Sequence, residues 1–447
     1  MRAIVIGGSI AGLLAARALS DFAETVTIVD RDVPPTTAVP RKGVPQGRHV
    51  HGVLASGLDV LTFFFPNIIE ELSADGARVV DTGKDVRWFN NGAWRLRCNC
   101  GVKSCVLTRP LLELHVRRRV EKLPNVTRLY GASVMGLKTD ATKSRVTGLC
   151  VDGLEGGKKI LEADLIVDCS GRGSKTPLWL EELGLTKPAA TTVTVNIGYS
   201  TQFFRMPETA RPDWQAMLIL SQPPKGTRLG ACFFVENGEL QVTLGGQFRD
   251  YPPDDQAGFL EFAASLEHPE LFRTIQHAVS TSPIATYRFP AHLRNHYDRL
   301  RDCPSNLLVL GDALCSFNPI YGQGMSVAAL EAQILHRCLA AERLHGNGAS
   351  RLRDRYFRGV SAVVNAAWAM ATGADLAYPQ AGGDRAFGQA IILGYLGHVI
   401  SLSCSDERVL TVWNQVTNMQ RPLSALFAPS IAARVIRRAV WAKDKQD

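Results

Sequence analysis

The sequence predicts an α/β fold: a doubly wound parallel-sheet domain, an antiparallel-sheet lobe inserted into it, and a helical C-terminal region. Three observations carry this. The chain opens with RAIVIGG, an apolar strand that runs into a glycine turn, followed by the helix-like SIAGLLAARALSD and a second strand, TVTIVDRD. Strand, turn, helix and strand in that order open a doubly wound unit. From about Thr191 to Pro290 the pattern changes to strand-like runs, TVTVNIGYSTQFF, AMLILSQ, ACFFVE, LQVTLGGQF and SPIATYRF, separated by polar turns and short helices. From about Arg351 the spacing is helical, with breaks near Tyr378 to Gly383 and at Pro422 and Pro429.

The elements follow in order. VPPTTAVPRKGVPQGRHVHG is dense in proline and glycine and forms a long structured loop. Residues 107–122 have helical apolar spacing, with Thr108 as N-cap and Pro110 in the first turn. GASVMGLKTD, RVTGLCVDG and KKILEADLIVDCSG read as a β-meander that returns to the main sheet. Leu307 to Leu310 form another strand of that sheet, and MSVAALEAQILHRCLAAERL a helix after it. The expected division assigns 1–85, 106–190 and 291–345 to the first domain, 86–105 and 191–290 to the β lobe, and 346–447 to the helical region. AIILGYLGHVISLS is too short for a bilayer and carries His398, so a buried helix is expected.

Composition narrows the function. The chain has 447 residues, 46% hydrophobic and 21% charged, a globular balance. A net charge of +8 without a basic block interleaved with aromatics argues against nucleic-acid binding. Ten irregularly spaced cysteines suit reduced thiols, and MRAIVIGG lacks a signal-peptide profile, so a cytoplasmic setting is expected.

Two glycine-rich turns carry the chemistry. In Gly7-Gly8-Ser9-Ile10-Ala11-Gly12 the first glycine allows the tight turn, the last allows close helix packing, and the helix N-terminus faces a pyrophosphate. Ser9 stands at the second glycine position. Asp30, ending the second strand, accepts from ribose hydroxyls. A ligand-free glycine turn is the alternative, disfavoured by the strand before, the helix after and Asp30, and a hydrolase elbow is disfavoured because Ala11 stands where glycine is required. The second turn, GDALCSFNPIYGQG, joins a strand to a helix. Asp312 would accept from a ribityl hydroxyl, and backbone N–H groups from Gly322 through Gly324 to Met325 would face the pyrimidine edge of a flavin. Together the turns point to FAD.

The fingerprint, the Leu-Thr-Arg-Pro start around Arg109, ADLIVDCSGRGS and GDALCSFNPIYGQGMS resemble flavoprotein monooxygenases of the para-hydroxybenzoate hydroxylase type. PRKGVPQGRHVH and NPIYGQGMS resemble, more narrowly, the flavin-dependent epoxidases of polyether biosynthesis. The likeness covers most of residues 1–340. It implies a glutathione reductase-like FAD-binding domain, with Arg109 reaching the FAD phosphates, Val134 meeting adenine through its backbone, and Arg41, Lys42 and Gln46 in the loop along the cofactor. Arg31, beside Asp30, and Pro319, within the second turn, join that set. Ser9 departs from the family pattern, and DCSGRGS departs from its Asp-Gly form, which weakens the case for direct NADPH binding.

No nucleophile–base set, carboxylate dyad or metal cluster stands out, so no catalytic residue is assigned and the flavin carries the chemistry. The expected reaction adds O2 to reduced FAD, forming a C4a-hydroperoxide that transfers one oxygen to a small lipophilic natural product: a polyketide, terpenoid or meroterpenoid. Alkene epoxidation is expected from the resemblance. Aromatic or alkyl hydroxylation, reduction of isoprenoid double bonds and a non-catalytic FAD-fold binding protein are the alternatives. A halogenase is disfavoured because Trp-x-Trp-x-Ile-Pro is absent. Electrons come from NAD(P)H directly or from a separate flavin reductase. Cys98, Cys100 and Cys105 read as hairpin thiols, and His49 and His51 as packed near the flavin ring or ordering a water. Arg117-Arg118-Arg119 reads as a solvated helix face. The tail places Ile431, Val435 and Ala439 on one face of a docked amphipathic helix, with peripheral membrane contact as the alternative.

Overall fold

The computed structural model describes residues 1–153, 157–345 and 351–443. A five-stranded parallel sheet runs in the order Leu307–Val309, Leu165–Asp168, Arg2–Ile6, Thr25–Asp30, Val126–Tyr130. Its register sets Ala3 against both Leu165 and Val26, and Ile166 against Leu307. The central strands are apolar on both faces because both are covered: Val5, Val26, Ile166 and Leu308 are fully buried. The helices Ile10–Ser20 and Gly324–His345 pack against each other on this sheet. The meander Ser133–Thr139, Val146–Asp152, Lys159–Glu162 forms a separate three-stranded antiparallel sheet.

A nine-stranded sheet forms the second layer. Its centre is the long strand Ala190–Arg205, antiparallel to Leu240–Gly246 on one side and to Ala285–Asn295 on the other. Val86–Asn90 joins it in parallel with Ala216–Ile219, and Cys315–Ser316 pairs with the end of Ala285–Asn295. The helices Gln256–Ala264 and Glu270–Ile275 bury Phe259, Phe262 and Leu271 against Met217, Phe234 and Leu240.

The helix Leu352–Asp375 belongs to the first core. Tyr356 is fully buried and donates from its hydroxyl to the Val309 carbonyl at 3.1 Å. The last helices, Gln389–Leu402, Glu407–Thr417 and Pro429–Lys443, form a small core of their own around Val399, Val409, Val416, Ile431 and Val435. The side chain of Ala439 lies outside the described residues.

Two expectations are corrected here. The segment Gln389–Leu402 is not a buried helix: only Val399 and Leu402 are buried, while Ile391 is 79% exposed. Its C-terminal half packs on the neighbouring helices and its N-terminal half projects, which an unbroken apolar run cannot signal. Nor is Arg117 solvated. It is buried, donating to the Pro35 carbonyl at 2.6 Å, while Arg119 pairs with Glu71 and only Arg118 of the three is exposed.

Candidate functional site

The strand Arg2–Ile6 ends in Gly7, whose φ of +96° is open to glycine at little cost. A Cβ on Gly12 would lie 1.8 Å from the Gly7 carbonyl oxygen, so the helix starts as close to the turn as backbone allows. The helix closes its first bond from Leu13 N–H to the Ser9 carbonyl. Ser9 is the N-cap but its hydroxyl does not cap. Instead it accepts from Arg109 Nη2 at 2.9 Å and donates to Glu113 Oε2 at 3.1 Å. The first-turn amides are therefore left to an external anion.

Asp30 is buried and already engaged, accepting from Gly8 N–H at 2.7 Å, Asp32 N–H at 2.9 Å and Arg41 Nη1 at 3.2 Å. Arg41 is ringed by carboxylates: Asp30, Asp32 at 3.1 Å and Glu113 at 2.7 Å. Burial alone would lower its pKa; Glu113, Asp30 and Asp32 outweigh that and raise it. It works here as a clamp between the loop, the second strand and the helix Arg109–Glu121. That helix starts as the sequence implies, with Thr108 Oγ1 accepting from Leu111 N–H and Pro110 in the first turn.

The second turn lies against the first. Gly311 has φ +69°, and a Cβ on it would stand 2.9 Å from the Ala11 Cβ. Gly311 N–H donates to Glu331 Oε2 at 2.6 Å. Burial pushes the Glu331 carboxyl up to about 8, with Asp312 adding to the rise and the Gly311 bond opposing it. Asp312 keeps part of its surface open yet lies deep enough that desolvation raises its pKa, against the pull of Arg109 and Arg172. Among the described residues no donor reaches its carboxylate. Gly322, at φ +63°, ends the short helix Pro319–Tyr321, and the helix Gly324–His345 closes its first bond from Val327 N–H to the Gln323 carbonyl.

The structure thus brings Gly7, Ser9, Gly12, Asp30, Arg41, Arg109, Asp312, Gly324 and Met325 into the two turns and the elements packed on them. Val134 is half-buried on the meander, beyond Asp30, whose carbonyl accepts from Ala132 N–H. Arg31, Lys42, Pro319 and Gly322 are exposed, Gln46 is half-buried, and no side-chain partner is recorded for Arg31, Lys42 or Gln46 among the described residues.

The nine-stranded sheet supplies Tyr287 and the loop after Leu165–Asp168 supplies Arg172, both missed by sequence reasoning. Tyr287 is paired in register with Tyr199. Its phenol is raised by burial first and by Asp312, with Arg172 and Arg109 pulling it down, so it lies within electrostatic reach of the second turn. Arg172 donates to Ser316 Oγ at 3.1 Å and lies over the Phe289 ring. His49 is buried between Tyr199 and Tyr287, its Nδ1 2.7 Å from Thr201 Oγ1 and its Nε2 without a partner among the described residues. Burial lowers His49 to about 4 and His51 to about 3, so both are neutral at pH 7. Glu113 could have been found from its spacing, one helical turn after Arg109. Tyr287 and Arg172 sat in quoted segments, but nothing in the sequence aimed them at Asp312.

A cradle that any Cβ would fill, uncapped helix amides, the Arg109 guanidinium whose buried Nε has no partner and the Asp312 carboxylate that has no donor among the described residues form a donor and acceptor set that fits an FAD pyrophosphate and ribityl chain. The family profile described as FAD binding domain matches residues 1–371. The chain belongs to that family. FAD is its cofactor, and this flavoprotein is an enzyme. It is 32% identical over 348 residues to Protein Rv3254 of Mycobacterium tuberculosis, covering 76% of this chain and 73% of that one. In fold it is similar to PqsL, a probable FAD-dependent monooxygenase from Pseudomonas aeruginosa, with TM-score 0.61 and 15% identity over 92% of this chain and 98% of that one. It is also similar to p-nitrophenol 4-monooxygenase PnpA from Pseudomonas putida, with TM-score 0.64 and 17% identity over 94% and 98%.

The three cysteines singled out in the sequence do not converge: Cys98 and Cys100 have their sulfurs 3.7 Å apart, and Cys105 is buried in the strand Lys103–Val106. No group of three or more metal-ligating side chains occurs among the described residues.

Proposed function

We propose that this flavoprotein is a monooxygenase that transfers one oxygen atom from O2 to a small lipophilic substrate, with epoxidation of an alkene as the reaction. The observation that carries the reading is the contact between Gly311 and Ala11, which makes the two turns one continuous cradle. When bound and reduced, FAD would supply the electrons that activate dioxygen, one oxygen atom of which is transferred to the substrate.

The chain's own residues then have four tasks. Arg109 and the first-turn amides of Ile10–Ser20 hold the pyrophosphate, Asp312 accepts from the ribityl chain, and the amides at Gly324 and Met325 favour negative charge at the pyrimidine edge. Tyr199, Tyr287 and the neutral His49 wall the opposite side and exclude water. The lowered pKa of His49 and the phenols raised by burial leave this wall with only a weak base at pH 7, which favours epoxidation over phenol hydroxylation. NAD(P)H or a flavin reductase is the electron source.

No helix among the described residues is long and apolar enough to cross a membrane. The packed helices Gln389–Leu402 and Pro429–Lys443 expose Ile391, Ile392 and Ile436 together with Arg437, which supports a peripheral membrane contact where oily substrates reside.

The test is turnover of reduced enzyme with a polyene under 18O2. An epoxide carrying one labelled oxygen supports the reading. A labelled phenol or alcohol would instead make the enzyme a hydroxylase, and a saturated product without oxygen a reductase.

A further inference from the structure

A buried polar network runs from the second glycine turn to a carboxylate that lies outside the stretch matched by the family. Asp375 is the last residue of the helix Leu352–Asp375, four positions beyond the matched residues, and is fully buried. Its Oδ2 accepts from His292 Nε2 at 2.6 Å and Asn318 Nδ2 at 3.1 Å. Its Oδ1 accepts from the Tyr321 hydroxyl at 2.7 Å and Gln247 Nε2 at 3.3 Å. His292 Nδ1 accepts from the Asn318 backbone N–H at 3.2 Å, so the ring proton sits on Nε2 and the imidazole is neutral. All four donors are therefore neutral, and no lysine or arginine pairs with Asp375 among the described residues.

A carboxylate taken out of water with no countercharge persists only if its lone pairs are filled, and here both oxygens are. What it holds is specific. Asn318 and Tyr321 bracket the turn that leads into the second cradle, and Asn318 Oδ1 in addition accepts from the Tyr199 hydroxyl at 2.8 Å and from Ile320 N–H. His292 and Tyr199 belong to the nine-stranded sheet. Asp375 thus ties the turn, the substrate-facing sheet and a helix end into one rigid unit.

We propose that Asp375 is a positioning residue that, through His292, Asn318 and Tyr321, fixes the turn holding the isoalloxazine half of FAD. The proposal rests on the reading of residues 312–325 as that half's cradle. The carboxylate does not touch the flavin; it acts by geometry and by its field. A buried negative charge near the flavin disfavours electron uptake, so its removal shifts the midpoint potential to more positive values.

The test compares wild type with Asp375→Asn and Tyr321→Phe, measuring FAD affinity by flavin fluorescence, ADP affinity by competition, and the flavin midpoint potential. Asp375→Asn weakens FAD roughly tenfold or more while ADP, held by the first turn, changes less than about twofold, and the potential moves positive. Tyr321→Phe also weakens FAD but leaves the potential unchanged or more negative, because the charge stays and loses a donor. Opposite behaviour of the two potentials is not produced by general loosening. FAD affinity and potential unchanged in Asp375→Asn, or FAD and ADP weakened equally, overturns the proposal. If Asp375→Asn does not fold, Tyr321→Phe decides: FAD weakened with ADP unaltered supports it, and both unaltered overturns it. Folded wild type that binds no FAD would overturn the cradle reading and the proposal together, whereas tight wild-type binding with indifferent variants overturns the proposal alone.

Discussion

Glu331→Gln is predicted to stabilise the protein, and increasingly so as pH rises. Glu331 is fully buried under the second turn, with its carboxyl raised from 4.5 to about 8. Between those values the folded state keeps a proton that the unfolded state has released, so stability is intact below about pH 4.5 and is lost progressively as pH rises to 8. At about 1.4 kcal/mol per tenfold change in proton concentration, the full loss is roughly 5 kcal/mol, of which roughly 3 kcal/mol falls between pH 5 and pH 8. Glutamine keeps the acceptor for the Gly311 N–H and removes the ionisation. The assay is urea denaturation of both proteins at several pH values from 5 to 9. The stability difference between variant and wild type should grow with pH by about 2–4 kcal/mol. A difference that stays flat across that range refutes the reasoning.

Arg109→Gln should weaken FAD binding by roughly 10- to 100-fold, the loss of a charge-assisted phosphate contact, read by flavin titration. Gly311→Ala combines strain at φ +69° with a Cβ pressed on Ala11, and should cost about 1–3 kcal/mol of stability by denaturant unfolding. Adding Ala11→Gly should recover part of that, a coupling that a double-mutant cycle measures. His49 is held neutral by burial, its pKa lowered from 6.5 to about 4, so the stability it contributes is present above about 6.5 and lost as pH falls toward 4. His49→Gln should flatten that acid limb by up to roughly 3 kcal/mol, seen as a shallower pH dependence of unfolding.

The fold was legible where pattern dictates structure. RAIVIGG and TVTIVDRD read as strands because a parallel sheet covered on both faces leaves no polar positions, and Thr108 with Pro110 marked a helix start by chemistry alone. Long-range geometry was not legible. Ser9 was expected as a departure at the pyrophosphate, and its hydroxyl instead links Arg109 to Glu113. Arg41 was expected in the loop along the cofactor, and nothing local signals that three carboxylates from separate segments enclose it. The clustering of His292, Asn318, Tyr321 and Asp375 across 83 positions leaves no local trace, since each residue alone suits a turn, a strand or a helix end. The apolar run at Ile391 hid its exposure for a different reason: hydropathy reports composition, whereas burial depends on what packs against the helix.

The central claim is that one continuous cradle, formed where Gly311 meets Ala11, grips both halves of a single FAD. The most direct measurement is equilibrium binding of FAD, ADP and FMN to the purified protein under identical conditions. If both halves are held at once, FAD binds tighter than either fragment by about two to four orders of magnitude. ADP binding as tightly as FAD would show that the second turn contributes nothing and would contradict the account.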